Sequence, residues 1–335
     1  MTVFLRRIGV VAAVALSVML VAAIVAAVAL HGGDGLSGGA ASSGGAASAD
    51  GAASADGAAS ADGAASAGGN TTAADGVKRA AAVPSANATL VARQTRQRDL
   101  DALAGSLSRR FADYGGDWSA YVRDLNTGAE IAVNDRQGKS ASLIKLYVML
   151  AVYERMDQGR LADSADVDGL LRQMITESSN QATNALVMRL GGSDARAGLA
   201  VVNRIAAEHG FGRTAMGDLL YDSGTHDSSL KHTSVSDCGR FLDLAWRGEL
   251  VSKAYSDRML SLLLDQRHRA KIPAGVPEGT KVANKTGEIP GVENDAAIVY
   301  ASRPYVLVVM SDGVENDTAQ GQVREISAMV WRSLR

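Results

Sequence analysis

Cys238 is the only cysteine, so no intrachain disulfide can form and the fold must hold by its core alone. It reads as a small buried apolar residue rather than a nucleophile. Histidine is nearly as scarce. His31, His209, His226, His232 and His268 show neither His-x-x-x-His nor Glu-x-x-His spacing on a periodic helix, so no metal site and no cofactor is expected. Net charge is −2, which gives no basic excess for a nucleic-acid partner. Residues 31–90 contain no aromatic side chain and few branched apolar ones. That tract is Gly, Ala, Ser and scattered Asp, with Gly-Ala-Ala-Ser-Ala-Asp repeated from Gly45, Gly51 and Gly57, and it cannot bury a core. It is expected to be a disordered tether between residues 1–30 and a globular domain at 91–335.

What precedes the tether is apolar. Arg6 and Arg7 lead into an uncharged run from Ile8 to Leu30, long enough as a helix to cross a roughly 30 Å bilayer core. The run predicts an uncleaved membrane anchor through residues 8–30. Ala27-Val28-Ala29 offers the alternative of a cleaved signal peptide. Either way the two arginines stay in the cytoplasm and the rest of the chain is exported. No Leu-x-x-Cys lipid-attachment pattern follows.

The chain is 47% hydrophobic, enough for one sizeable domain, expected to be monomeric. Leu100, Leu103, Leu107, Phe111 and Tyr114 recur at helical spacing before Gly115-Gly116. Trp118 to Asp124 and Glu130 to Asn134 alternate as two strands joined through Asn126-Thr127-Gly128. From Ser142 to about Met156 hardly a polar face remains, which predicts a helix at the centre of the domain. Further helical segments run to about Glu249. Three strands are then expected at Lys281–Lys285, Ala296–Tyr300 and Tyr305–Met310, before a last helix carrying Val323, Ile326, Met329, Val330 and Leu334. This order predicts an α+β fold: one antiparallel five-stranded sheet flanked by helices, drawing strands from both ends of the domain, plus a helical lobe and a cleft between them.

Three short strings stand in order along that domain: Ser142-Leu143-Ile144-Lys145, Ser178-Ser179-Asn180 and Lys285-Thr286-Gly287. Ser142 and Lys145, three apart at a helix start, project from one face. A lysine in its uncharged form can take the proton of a serine hydroxyl; burial among other cations lowers a lysine pKa to that end, and Lys285 would supply the second positive charge. Ser178 can relay a proton to a leaving amine, and the Asn180 amide can hold a substrate carbonyl. Gly287 at the end of a strand lets a substrate approach. The next backbone N–H, that of Glu288, is then an oxyanion-hole candidate alongside the N–H of Ser142. Two rival motifs fail. Gly35-Leu36-Ser37-Gly38-Gly39 has no strand before it, and Gly138-Lys139-Ser140 lacks the earlier glycine of a phosphate loop, where Val133 stands.

With this trio the chain, from about Leu100 to Arg335, resembles the class A β-lactamase and penicillin-binding superfamily of active-site serine enzymes. The resemblance implies a β-lactamase/transpeptidase-like α/β/α fold with Ser142 acylated, Lys145 its general base and Ser178 the proton relay. It further implies that Asn180 holds substrate, that Lys285 and Thr286 bind a substrate carboxylate, and that the N–H groups of Ser142 and Glu288 form the oxyanion hole. It departs from that pattern in three respects. The Glu-x-x-Leu-Asn string, whose glutamate activates the water that releases the acyl-enzyme, is missing; Asp218, Asp222 and Asp227 are the candidates to replace it. The interval from Ser142 to Ser178 is short, which implies a trimmed helical lobe and an open cleft. The carboxylate-reading arginine has no match, and Lys271 is the nearest basic candidate. The expected activity is hydrolysis of a β-lactam amide. The alternatives are a peptidase or amidohydrolase on cell-wall peptides that turns β-lactams over slowly, and a non-catalytic cell-wall ligand-binding domain.

Overall fold

The computed structural model describes residues 86–223 and 226–335. The anchor or signal at 8–30 and most of the tether lie outside the described residues. Among those described, no helix is long and apolar enough to cross a membrane.

In chain order the elements are helix α1 (Ala86–Asp113), strands β1 (Asp117–Asp124), β2 (Glu130–Val133) and β3 (Gly138–Lys139), and helices α2 (Lys145–Asp157), α3 (Ala165–Thr176), α4 (Asn180–Leu190) and α5 (Ala195–Glu208). Then come β4 (Ala215–Met216), β5 (Lys231–Thr233), α6 (Val235–Arg247), α7 (Lys253–Leu264), β6 (Val282–Ile289), β7 (Val292–Val299), β8 (Tyr305–Asp312) and α8 (Asn316–Leu334). Five strands form one antiparallel sheet in the order β2-β1-β8-β7-β6, so the N-terminal hairpin is zipped onto the C-terminal one through β1 and β8.

Period-two alternation explains why that sheet needs helices on both faces. Ala120, Val122, Leu307 and Val309 share one core with Leu100, Leu107 and Phe111 of α1 and with Val323, Ile326 and Val330 of α8. Val306, Val308 and Ile298, one step out of phase, join a second core with α2 and the helical lobe. Helix α2 is buried continuously from Lys145 to Tyr153, as its nearly all-apolar sequence predicts. The architecture is thus α+β, a sheet between helical layers with a further lobe.

Three details differ from the sequence reading. A second small sheet, β3-β5-β4, is made of strands too short to show a periodic pattern. Ser142 lies in a 3₁₀ turn, Ala141–Ile144, rather than in the helix, which begins at Lys145. Strand β6 runs on to Ile289, so Lys285-Thr286-Gly287 lies inside it and not at its end. The strand turns instead at Pro290-Gly291, where Gly291 takes a φ of 78°.

Candidate active site

The 3₁₀ turn at Ser142 is pressed against the outer strand β6. Ala141 enters that turn at φ 44°, a left-handed conformation that a residue with a Cβ adopts only at a cost of about 1–3 kcal/mol. Surrounding bonds hold it there: the Asn294 side-chain amide donates to the carbonyls of Lys139 (3.0 Å) and Ser140 (3.2 Å), and the Ser140 N–H donates to Lys231 O at 3.0 Å. Gly287 is what allows the close approach. A Cβ on it would stand 2.9 Å from Ser140 O and 3.0 Å from the Ser142 nitrogen, filling the space in front of that N–H.

Lys145 sits one helical turn after Ser142, fully buried, and is the hub of the site. Its Nζ is 2.8 Å from Ser142 Oγ, 2.7 Å from Ser178 O, 3.2 Å from Ser178 Oγ and 2.8 Å from Asn180 Oδ1. Ser178 has φ 59°, and Lys285 Nζ donates to its Oγ at 2.9 Å and to Thr286 O at 2.8 Å. Ser178 Oγ therefore bridges the two lysines. Ser179 caps α4, its side chain accepting from Ala182 N at 3.1 Å, so the serine does locally what an aspartate there could also do.

Burial lowers the Lys145 pKa to about 7, with Asp222 pulling the other way. Of the two causes expected from sequence, burial and a neighbouring cation, burial is the larger for this amine. Lys285 is itself lowered well below the ordinary lysine range, first by burial and then by the charge of Lys145, against the pull of buried Asp295. A lysine near 7 is divided between charged and neutral forms at neutral pH. In the neutral form its nitrogen can accept the Ser142 proton across the 2.8 Å contact.

Beyond Ser142, the edge position of β6 supplies the other donor. Ile289 and Val292 flank the two-residue turn, and antiparallel alternation then leaves the Glu288 N–H on the open edge, on the Ser142 side. Thr286 is buried within the same strand.

The three loop aspartates separate cleanly. Asp222 accepts from Asn180 Nδ2 at 2.7 Å, and so meets the site through the amide whose oxygen lies on Lys145. Asp218 instead accepts from Leu219 N (2.7 Å) and Tyr221 OH (3.2 Å), and Asp227 caps the short turn at Ser228–Leu230. Neither of these two is brought to the site. Asn184, which the sequence reading missed, clamps the loop: it donates to Leu220 O at 2.7 Å and accepts from Leu220 N at 2.9 Å. Its spacing of four from Asn180 on α4 is the signal that could have revealed it.

Lys271 is not free to read a substrate carboxylate. It is 1% exposed, donates to Asn294 O at 3.0 Å, and pairs with both Glu293 and Glu288. Arg269, two positions before it, is also committed, 2.7 Å from Val282 O and 3.0 Å from Asn284 Oδ1. Cys238 is buried, and desolvation pushes its thiol up to about 12, away from nucleophile chemistry. Among the described residues no cluster of His, Cys, Asp or Glu is placed to hold a metal ion.

The profile of the β-lactamase enzyme family matches residues 101–168 and 162–334. Among solved structures, one described as PBP-A superposes with a TM-score of 0.62 at 25% identity, over 69% of this chain and 95% of that one. An ancestral class A β-lactamase of the last common ancestor of Gram-negative bacteria gives 0.61 at 23% identity, over 69% and 99%. A β-lactamase from Sphaerobacter thermophilus DSM 20745 gives 0.61 at 21%, over 69% and 96%. No protein of curated function matches the chain.

Proposed function

The chain belongs to the β-lactamase enzyme family, and from that premise we propose that it is an exported serine hydrolase that opens amide bonds, the β-lactam amide among them, through an acyl-enzyme on Ser142. The observation that carries this is the 2.8 Å contact between Ser142 Oγ and a buried lysine whose pKa is lowered to about 7. Neutral Lys145 takes the hydroxyl proton as Ser142 Oγ bonds to the amide carbon. The carbonyl oxygen gathers negative charge between the N–H groups of Ser142 and Glu288. The C–N bond breaks as a proton passes to the leaving nitrogen through Ser178 Oγ, which lies within reach of both lysines. Asp222, held on Asn180, then takes a proton from the water that attacks the ester and frees Ser142. Export rests on Arg6, Arg7 and the apolar run Ile8–Leu30.

A second reading, a cell-wall peptide hydrolase for which β-lactams are slow acyl donors, is favoured by one observation: the carboxylate at Asn180 comes from the shorter aspartate, which must come closer to the water. Intact-mass measurements on the full chain during incubation with a penicillin test both. A transient adduct with ring-opened product is expected, and a persistent adduct shifts the assignment to the second reading. No adduct should form on Ser142→Ala. Labelling of that variant to the same extent, or no labelling of the wild type, removes Ser142 as the acyl acceptor.

A further inference from the structure

The outer strand β6 carries an unusual charge arrangement at Glu288. One buried ammonium, Lys271, is shared by two carboxylates. Glu293 is buried, with a side-chain exposure of 6%, and is also held by Asn316 Nδ2 at 2.8 Å; on its own it neutralises the lysine. Glu288 is the second carboxylate, 3.0 Å from Lys271 Nζ, and its side chain is 44% exposed. Lys271 also donates to Asn294 O, and Gly287 O lies 3.5 Å away, so its three protons are committed.

Strand alternation puts the side chains of Thr286 and Glu288 on one face of β6, two residues apart. Lys285, the other cation of this strand, already donates to Ser178 Oγ and Thr286 O, and burial together with Lys145 drives it toward the neutral amine. Burial pushes the Glu288 carboxyl up, but the charge of Lys271 and their hydrogen bond outweigh this and hold it below the usual glutamate range, so it is ionised at neutral pH. A substrate group seated beside Thr286 therefore meets a half-exposed carboxylate in front of a lysine that is already paired.

We propose that Glu288 is a specificity-determining residue, whose carboxylate disfavours acyl donors bearing a carboxylate on the leaving-group side and favours donors whose corresponding group is uncharged, an ester or amide. This rests on the reading of Ser142 as acyl acceptor and deepens it by naming the substrate class. The expectation from resemblance, a carboxylate read by Lys285, Thr286 and Lys271, is reversed in sign. A second anion brought within a few ångström of Glu288 at a half-screened site slows its own acylation roughly tenfold.

The test uses two acyl donors that differ in that charge alone, benzylpenicillin and its methyl ester. Second-order acylation rates at Ser142 are measured by quenched intact mass on the full chain, wild type and Glu288→Gln. The two donors differ in intrinsic reactivity, so the readout is the change in their rate ratio between the proteins. In Glu288→Gln the acid should gain roughly tenfold over the ester. Added salt should speed the acid's reaction with wild type and leave the ester's unchanged. Glu288→Asp keeps the charge and should retain most of the discrimination, which separates charge from side-chain shape. An unchanged acid-to-ester ratio in Glu288→Gln, with adducts forming normally, overturns the proposal and leaves the Ser142 reading intact. Absence of adduct with either donor on either protein removes both.

Discussion

Asn180 stands between two regions of opposite character. Its side-chain oxygen lies on Lys145, in a corner where Lys145 and Lys285 are both fully buried and strained turns at Ala141 and Ser178 are locked by packing and hydrogen bonds. Its side-chain nitrogen reaches Asp222, on a loop where Tyr221 is 46% exposed. In the buried corner, desolvation sets the chemistry, because it lowers the pKa of an ordinary lysine to about 7, where the amine can serve as a base at neutral pH. On the loop, water screens the carboxylates, and position decides which of three similar aspartates can act. One region selects by environment and the other by reach.

The largest break in this comparison is removal of the buried amine. Lys145→Met keeps an unbranched chain in the same space without the base, and acylation should fall by roughly 10²- to 10⁴-fold in stopped-flow or quenched-mass measurements. The pH profile gives the same test without mutation. Burial disfavours the charged lysine, so the working neutral form dominates above the lowered pKa. The wild-type acylation rate should rise with pH through about 7 and level off above it. A profile still rising toward the ordinary lysine range would mean that desolvation is not what tunes this amine.

Next in size is Asp222→Asn, which keeps a partner for Asn180 and removes the loop's charge. Release of the acyl-enzyme should slow by roughly 100-fold with acylation much less affected, so that an adduct persists where wild type shows a transient one. The same change bears on the buried corner, because Asp222 raises the Lys145 pKa. Its removal should move the rising limb of the acylation profile to lower pH. Equal losses in acylation and release would show that the two regions work as one unit rather than two.

The buried corner was the more legible of the two regions. Ser142 and Lys145 announce themselves by a spacing of three before an apolar helix, and the apolar runs at Trp118–Asp124, Ala296–Tyr300 and Tyr305–Met310 read directly as strands. Glycine weakens a strand interior, which is why β6 read as ending at Lys285; Gly287 is there for the approach of the Ser142 turn, a tertiary reason with no local signal. The same limit hid the partners of Lys271. Glu288 and Glu293 face it only because the turn at Pro290-Gly291 sets them opposite one another across β6 and β7. The carboxylate at Asn180 could be narrowed to three aspartates but no further, because the fold of an irregular loop, clamped here by Asn184, has no periodicity to read.

The smallest expected effect tests that selection by reach. Asp218 and Asp222 lie on one loop and share the same chemistry, Asp218 half-buried and Asp222 exposed. They differ in what they touch: Asp218 bonds to Leu219 N and Tyr221 OH, within its own loop, and Asp222 bonds to Asn180. If local charge alone were enough, either could activate water at the site. Asp218→Asn should leave both acylation and release within about twofold of wild type, since its contacts stay within its own loop and Asn keeps an oxygen to accept from Leu219 N. A loss of release comparable with that of Asp222→Asn would show that the loop delivers its carboxylates interchangeably, and that the hydrogen bond to Asn180 does not single out Asp222.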